Sequence, residues 1–67
     1  MNTGQNLTAH NEFSAASILG LSVHTLRSYR FHGRGPVYVK VGKSVRYMEA
    51  DLREFIDSHR VNPGAGA

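Results

Sequence analysis

The order of local signals in this 67-residue chain predicts a mostly α fold with a small β-hairpin, running helix, turn, helix, two-stranded ribbon, helix. Three observations predict it. Apolar residues recur at helical spacing from Glu12 to Phe31, with Gly20 placed where the chain must reverse. Gly33-Arg34-Gly35-Pro36 then halts helical structure, and β-branched and aromatic residues alternate with polar ones from Val37 to Tyr47. Beyond Met48, Leu52, Phe55 and Ile56 restore a helical stripe.

The first helix has two candidate N-caps, Asn11 and Thr8, the second of which adds roughly one turn. Ala16 is small where two helices joined by a short turn approach closely. Gly20 suits the left-handed backbone of the turn, which lacks a penalty only without a β-carbon. Ala15, Leu19, Leu21, Leu26 and Tyr29 supply a shared core for both helices, and Ser22 is a good N-cap for the second. Val37-Tyr38-Val39-Lys40-Val41 and Val45-Arg46-Tyr47 read as strands joined by a three-residue loop, Gly42-Lys43-Ser44. The third helix starts near Met48, with Glu49 and Asp51 in its first turn, where the helix dipole favours negative charge, and with Leu52, Phe55 and Ile56 buried. A two-stranded ribbon is stable only against other elements, so the whole is a winged helix-turn-helix.

Residues 8–60 form the single domain, between a flexible N-terminus at 1–7 and a flexible C-terminal tail at 61–67 that reads VNPGAGA. A core this small yields about 3 to 5 kcal/mol, so the fold is expected to be marginal without a ligand or partner. The absence of cysteine excludes a finger or ribbon zinc site and a disulfide framework. His10, His24, His32 and His59 lack metal-ligand spacing and are expected at the surface, so no metal is expected. With no apolar run of membrane length and a polar MNTGQN start, the chain reads as soluble and cytoplasmic.

Charge is uneven. The net charge is +3, and no carboxylate occurs between Glu12 and Glu49, where Arg27, Arg30, Arg34, Lys40, Lys43 and Arg46 all lie. The acidic residues gather in the closing helix, so the middle of the chain offers a cationic surface to a polyanion. Asp51, Glu54 and Asp57 read as a solvated helix face, with Glu49–Arg53 and Arg53–Asp57 pairs at four-residue spacing, so no enzyme activity is expected. Gly33-Arg34-Gly35 reads as a connecting turn rather than a phosphate loop, since no strand precedes it.

Placing Leu26 and Tyr29 inward turns His24, Arg27, Ser28 and Phe31 outward, with Thr25 and Arg30 on the flanks. Such a face fits a major groove. Arg27 is the candidate for a guanine contact, Thr25 and Arg30 for phosphates, and His24 and Ser28 for base edges or phosphates. Lys40, Lys43, Ser44 and Arg46 would form a gripping wing. Phe31, an outward aromatic at a helix end, is expected to pack on the following loop.

Ala15-Ala16-x-x-Leu19-Gly20-x-Ser22-x-x-Thr25-Leu26-Arg27, Gly33-x-Gly35-Pro36-x-Tyr38 and Val45-Arg46-Tyr47-x-x-x-Asp51-Leu52 together resemble the phage excisionase and small prophage-regulator family, which has a MerR-like winged helix. Tyr29 and Phe55 stand where that family often has tryptophan, and Leu7-Thr8 lies about one turn upstream of its usual place before the first helix. The resemblance implies a double-stranded-DNA binder of repeated attachment-site sequences. Such a protein bends the DNA and helps an integrase excise a prophage, with further copies on adjacent sites, or else regulates a promoter. It implies no cofactor. By position it extends the DNA-contacting role over Ser22 to Arg30 and Lys40 to Arg46.

Overall fold

A computed structural model describes residues 8–64, so the expected flexible segment at 1–7 and the last three residues of the tail lie outside the described residues. Three helices pack on a small antiparallel sheet. In chain order the elements are β1 (Ala9–His10), α1 (Glu12–Leu19), α2 (Val23–Phe31), β2 (Val39–Val41), β3 (Ser44–Met48) and α3 (Glu49–Ser58). The expected winged helix-turn-helix is present, with one strand more than the sequence suggested.

Asn11, not Thr8, starts α1. Its side-chain oxygen accepts the Ser14 N–H at 2.8 Å, satisfying one of the free donors of the first turn. Gly20 ends the helix with φ +72°. Its N–H donates to the Ser17 carbonyl and the Leu21 N–H to the Ala16 carbonyl, the paired bonds of a Schellman stop. Ser22 then caps α2, its Oγ accepting the Thr25 N–H at 3.0 Å. The same bonding pattern closes α2, with Gly33 N–H donating to Arg30 and Arg34 N–H to Tyr29.

The residues before α1 form a strand. Ala9 pairs with Met48 and His10 with Tyr47, so the sheet order is β1-β3-β2. The Thr8 carbonyl accepts the Glu49 N–H at 2.9 Å, capping α3 where Met48 offers no side-chain cap. His10, expected at the surface, is instead a bracket. Its Nε2 donates to Glu49 at 2.6 Å, and its Nδ1 lies 3.0 Å from Ser14 Oγ, which donates to it in the neutral tautomer.

The hairpin is tighter than expected. Val41 pairs with Ser44, leaving Gly42-Lys43 as a two-residue turn, and β2 begins at Val39 rather than Val37. A two-residue turn with glycine first matches the right-handed strand twist, which the three-residue reading overlooked.

The core consists of Ala15, Ala16, Leu26, Tyr47 and Leu52, with Leu19, Val23 and Val45 against it. Tyr47 is the largest fully buried side chain, 1% exposed. Fully burying Leu26 or Leu52 contributes about 1.5 to 3 kcal/mol each. Ile56, expected in the buried stripe of α3, is 41% exposed, because the stripe narrows to Leu52 and the half-buried Phe55. Of the expected α3 ion pairs, Arg53 meets Glu49 at 3.9 Å, whereas Asp57 pairs with Arg60 at 3.4 Å.

Gly35 holds the α2-to-wing crossing against α2. A β-carbon at this position would lie 3.0 Å from Tyr29 Cβ, and φ is +91°. Gly33 also has positive φ, +72°, but open space around it. Gly33→Ala should therefore destabilise by about 1 kcal/mol through backbone strain alone. Gly35→Ala should cost about 1 kcal/mol more through crowding. Urea denaturation of the two variants measures the difference, and equal midpoints would refute the close approach.

Candidate nucleic-acid interface

The helix pair puts His24, Arg27, Ser28 and Phe31 on the outward stripe of α2, as their spacing requires. His24, Arg27 and Phe31 are exposed, while Ser28, Thr25 and Arg30 are half-buried. Ser22 and Thr25 are engaged with each other, Ser22 Oγ donating to Thr25 Oγ1 at 2.9 Å, so both serve the start of α2 first. Phe31 does not pack on the following loop. It is 85% exposed and forms a T-shaped pair with the ring of its neighbour His32, which is itself turned back so that Nδ1 donates to the Ser28 carbonyl.

A carboxylate sits among the cations. Glu12, at the start of α1, receives the side edge of the Arg27 guanidinium: Nε donates to Oε1 at 3.1 Å and Nη2 to Oε2 at 2.6 Å. Arg30 Nη2 reaches Glu12 Oε1 at 3.4 Å, while its Nη1 donates to the buried Tyr47 hydroxyl at 2.9 Å. Two aromatic rings flank the pair, with Arg27 6.0 Å from the centre of Phe13 and Arg30 5.7 Å from that of Tyr38.

The Arg27 bonds, above all, hold the Glu12 carboxyl below its ordinary value of 4.5; burial opposes this, and the charges of Arg27 and Arg30 add to it. Arg27 is raised chiefly by its bonds to Glu12, and Arg30 chiefly by its bond to Tyr47. Arginine is charged with or without such partners, so the effect of these bonds is to orient the two guanidiniums.

The wing completes the surface. Strand pairing sets Lys40 opposite Val45 and Arg46 opposite Val39, and cross-strand partners share a face. Lys40 therefore leaves from the core-facing side of the ribbon and Arg46 from the outer side, with Lys43 at the turn. Arg30, Lys43, Ser44 and Arg46 line one groove of about 380 Å³ with Asn11, Glu12 and Phe13. Arg30 and Arg34 border the adjoining hollow under the α2-to-wing crossing. Arg46 donates only to the Val45 carbonyl, and among the described residues Arg34, Lys40, Lys43 and Arg46 meet no carboxylate. Arg53 on α3 and Arg60 just beyond its end belong to a separate hollow with Ile18 and Ile56.

Sequence reasoning expected these cations on one common side. The structure gathers Arg30, Lys43 and Arg46 in one groove but sends Lys40 to the opposite side of the ribbon from Arg46 and pairs Arg27 and Arg30 with Glu12. The reading thus missed Glu12, Phe13 and Tyr47, which surround the two arginines. The signal for Glu12 was its position. It is the only carboxylate ahead of Glu49 and stands in the first turn of the helix that crosses α2.

A family model described as a helix-turn-helix domain matches residues 14–60 of the 67. The chain belongs to this helix-turn-helix family. The family includes excisionase-like DNA-binding proteins, and membership indicates DNA binding. No curated protein matches the chain. The helix-turn-helix match begins at Ser14, so Glu12 and Phe13, which hold Arg27, precede the matched segment. Among the described residues no helix is long and apolar enough to cross a membrane.

Two outcomes follow from the Glu12 and Tyr47 bonds. A carboxyl lowered in the folded state contributes its full stabilisation above its unfolded value of 4.5 and loses it as pH falls through the lower folded value. Thermal stability should accordingly decline in that acid range, and Glu12→Gln should flatten this part of the melting-temperature curve; a variant with an unchanged acid slope would contradict the assignment. Tyr47→Phe keeps the packing but strands one Arg30 donor, and should lower unfolding free energy by about 1 to 2 kcal/mol in chemical denaturation.

Proposed function

We propose that this protein is a sequence-specific, architectural DNA-binding protein of the excisionase type, a recombination directionality factor that bends attachment-site DNA and assists an integrase in prophage excision. In this reading α2 enters the major groove and the wing lies beside it on the backbone. The observation that carries the DNA contact is the groove that Lys43 and Arg46 of the wing, free of carboxylates among the described residues, share with Arg30 of α2, itself held by Glu12 and Tyr47. Arg34 borders the adjoining hollow, and no α3 residue lines either. A duplex phosphate backbone presents the matching charge. The excisionase assignment is supported by the ordered motifs from Ala15 to Leu52.

Small size supports an assembly role. A single module buries about 600 to 1,000 Å² on DNA, so one copy binds weakly and gains occupancy from neighbours or from a recombinase. The work is positioning rather than chemistry, carried out in the cytoplasm with no cofactor. A gel-shift and bending assay on the DNA flanking the gene, with and without the neighbouring recombinase, tests the assignment. Bent, recombinase-enhanced complexes are expected. Binding confined to a promoter and indifferent to the recombinase would make the protein a prophage-type transcriptional regulator instead.

Contacts to about four to six phosphates give a slope of log affinity against log salt of about −4 to −5. Lys43→Ala should weaken binding to all sequences alike and reduce the slope by about 1, whereas Arg27→Ala should relax base preference. A flat salt response would show that the cationic groove does not meet DNA.

A further inference from the structure

Arginine offers five N–H donors in a planar fork with two usable edges. In Arg27 one edge, Nε with Nη2, is spent on the two oxygens of Glu12. The other, Nη1 with the second hydrogen of Nη2, meets no acceptor among the described residues, and the side chain is 54% exposed. Glu12 is only 19% exposed, held between Arg27 and the half-buried Arg30, so the carboxylate is the fixed partner and the guanidinium the presented one. The same guanidinium lies over the Phe13 ring, its Cζ 6.0 Å from the ring centre, a weak cation–π contact that adds to the Glu12 bonds.

We propose that Glu12 is a positioning residue for DNA readout: it holds the Arg27 guanidinium so that its free Nη1–Nη2 edge is presented to the O6 and N7 of a guanine. The inference rests on the DNA-binding reading above and adds the source of its specificity. An unrestrained arginine on an exposed helix face samples many rotamers and meets phosphates as readily as bases. Fixing one edge of the fork removes most of those alternatives before DNA arrives, and the bidentate geometry that guanine requires uses the edge left over. Glu12 also repels phosphates, which penalises the non-specific pose for Arg27 and leaves backbone contact to the wing.

The test is selection of binding sites from a randomised duplex pool by the wild-type full chain and by Glu12→Gln, Glu12→Asp and Arg27→Ala. Glu12→Asp keeps the negative charge in the first turn of α1, and with it the helix, while withdrawing the carboxylate by one methylene. The wild type should enrich a motif with one guanine preferred by about 10- to 100-fold. Arg27→Ala should lose that preference completely, and both Glu12 variants should lose most of it at the same position, with total affinity for random duplex unchanged or higher. Replacing the guanine by 7-deazaguanine, which lacks the N7 acceptor, should weaken the wild type about 10-fold and leave the variants nearly unaffected.

Glu12 variants that keep the wild-type motif, or that lose affinity for every sequence in proportion to a loss of stability, would show Glu12 to be only a brace and overturn the inference while leaving DNA binding intact. A wild-type chain that enriches no sequence would overturn the specific DNA-binding reading and this inference with it.

Discussion

The bond from Arg30 to Tyr47 is the junction on which the rest of the structure turns. Tyr47 is the largest fully buried side chain, and its hydroxyl would be left without a partner in the core if Arg30 did not donate to it at 2.9 Å. A buried hydroxyl without a hydrogen bond costs more than a formed one contributes, so the pairing constrains both ends. Arg30 is drawn inward to 22% exposure, and its remaining reach brings it to Glu12. One side chain from α2 is thereby tied to β3 on one side and α1 on the other. The wing grows out of β3, so this junction also sets the wing relative to the recognition helix.

A carboxylate inside a surface built for a polyanion is less contradictory than it first looks. Exposed ion pairs contribute little to stability, a median of about 0 to 1 kcal/mol, so the half-exposed Arg27 is not held there chiefly to stabilise the fold. The pair changes which direction a cation faces. Arg27 gains a fixed plane and Arg30 gains a structural post, while Arg34, Lys40, Lys43 and Arg46 keep their charge free of carboxylates among the described residues. On α3, Glu49 is partly neutralised by Arg53 of the same helix and Asp57 by Arg60 just after it, and Glu49 is also taken by His10. The separation of acidic and basic sides is thus maintained by local pairing rather than by distance alone.

Features governed by local backbone chemistry could be read from the sequence. Gly20 and Ser22 mark the turn because one tolerates φ +72° and the other carries a capping hydroxyl, and both effects act within a few residues. Features that depend on a distant partner could not. The strand at Ala9–His10 has no alternating pattern and exists because the free edge of β3 is there to receive it, while Thr8 and His10 are further secured by Glu49. The Glu12–Arg27 fork joins residues fifteen apart through a helix crossing angle that no spacing rule gives. Ile56 failed for a related reason: its helical phase is apolar, but the small core ends at Leu52, and a stripe is buried only as far as something covers it.

The two halves of the candidate interface are ordered in different ways, and the difference suits their tasks. Arg27 is held by a two-point carboxylate contact beside a ring, which suits a contact whose energy depends on angle. Lys43 sits on a two-residue turn beyond the part of β3 that β1 supports, since β1 pairs only with Tyr47 and Met48. A compact ammonium on a flexible stem interacts with phosphate almost regardless of direction, so freedom there sacrifices little. A domain with so few buried residues cannot make its whole surface rigid. It concentrates order where geometry discriminates between sequences and leaves the wing tip to supply charge.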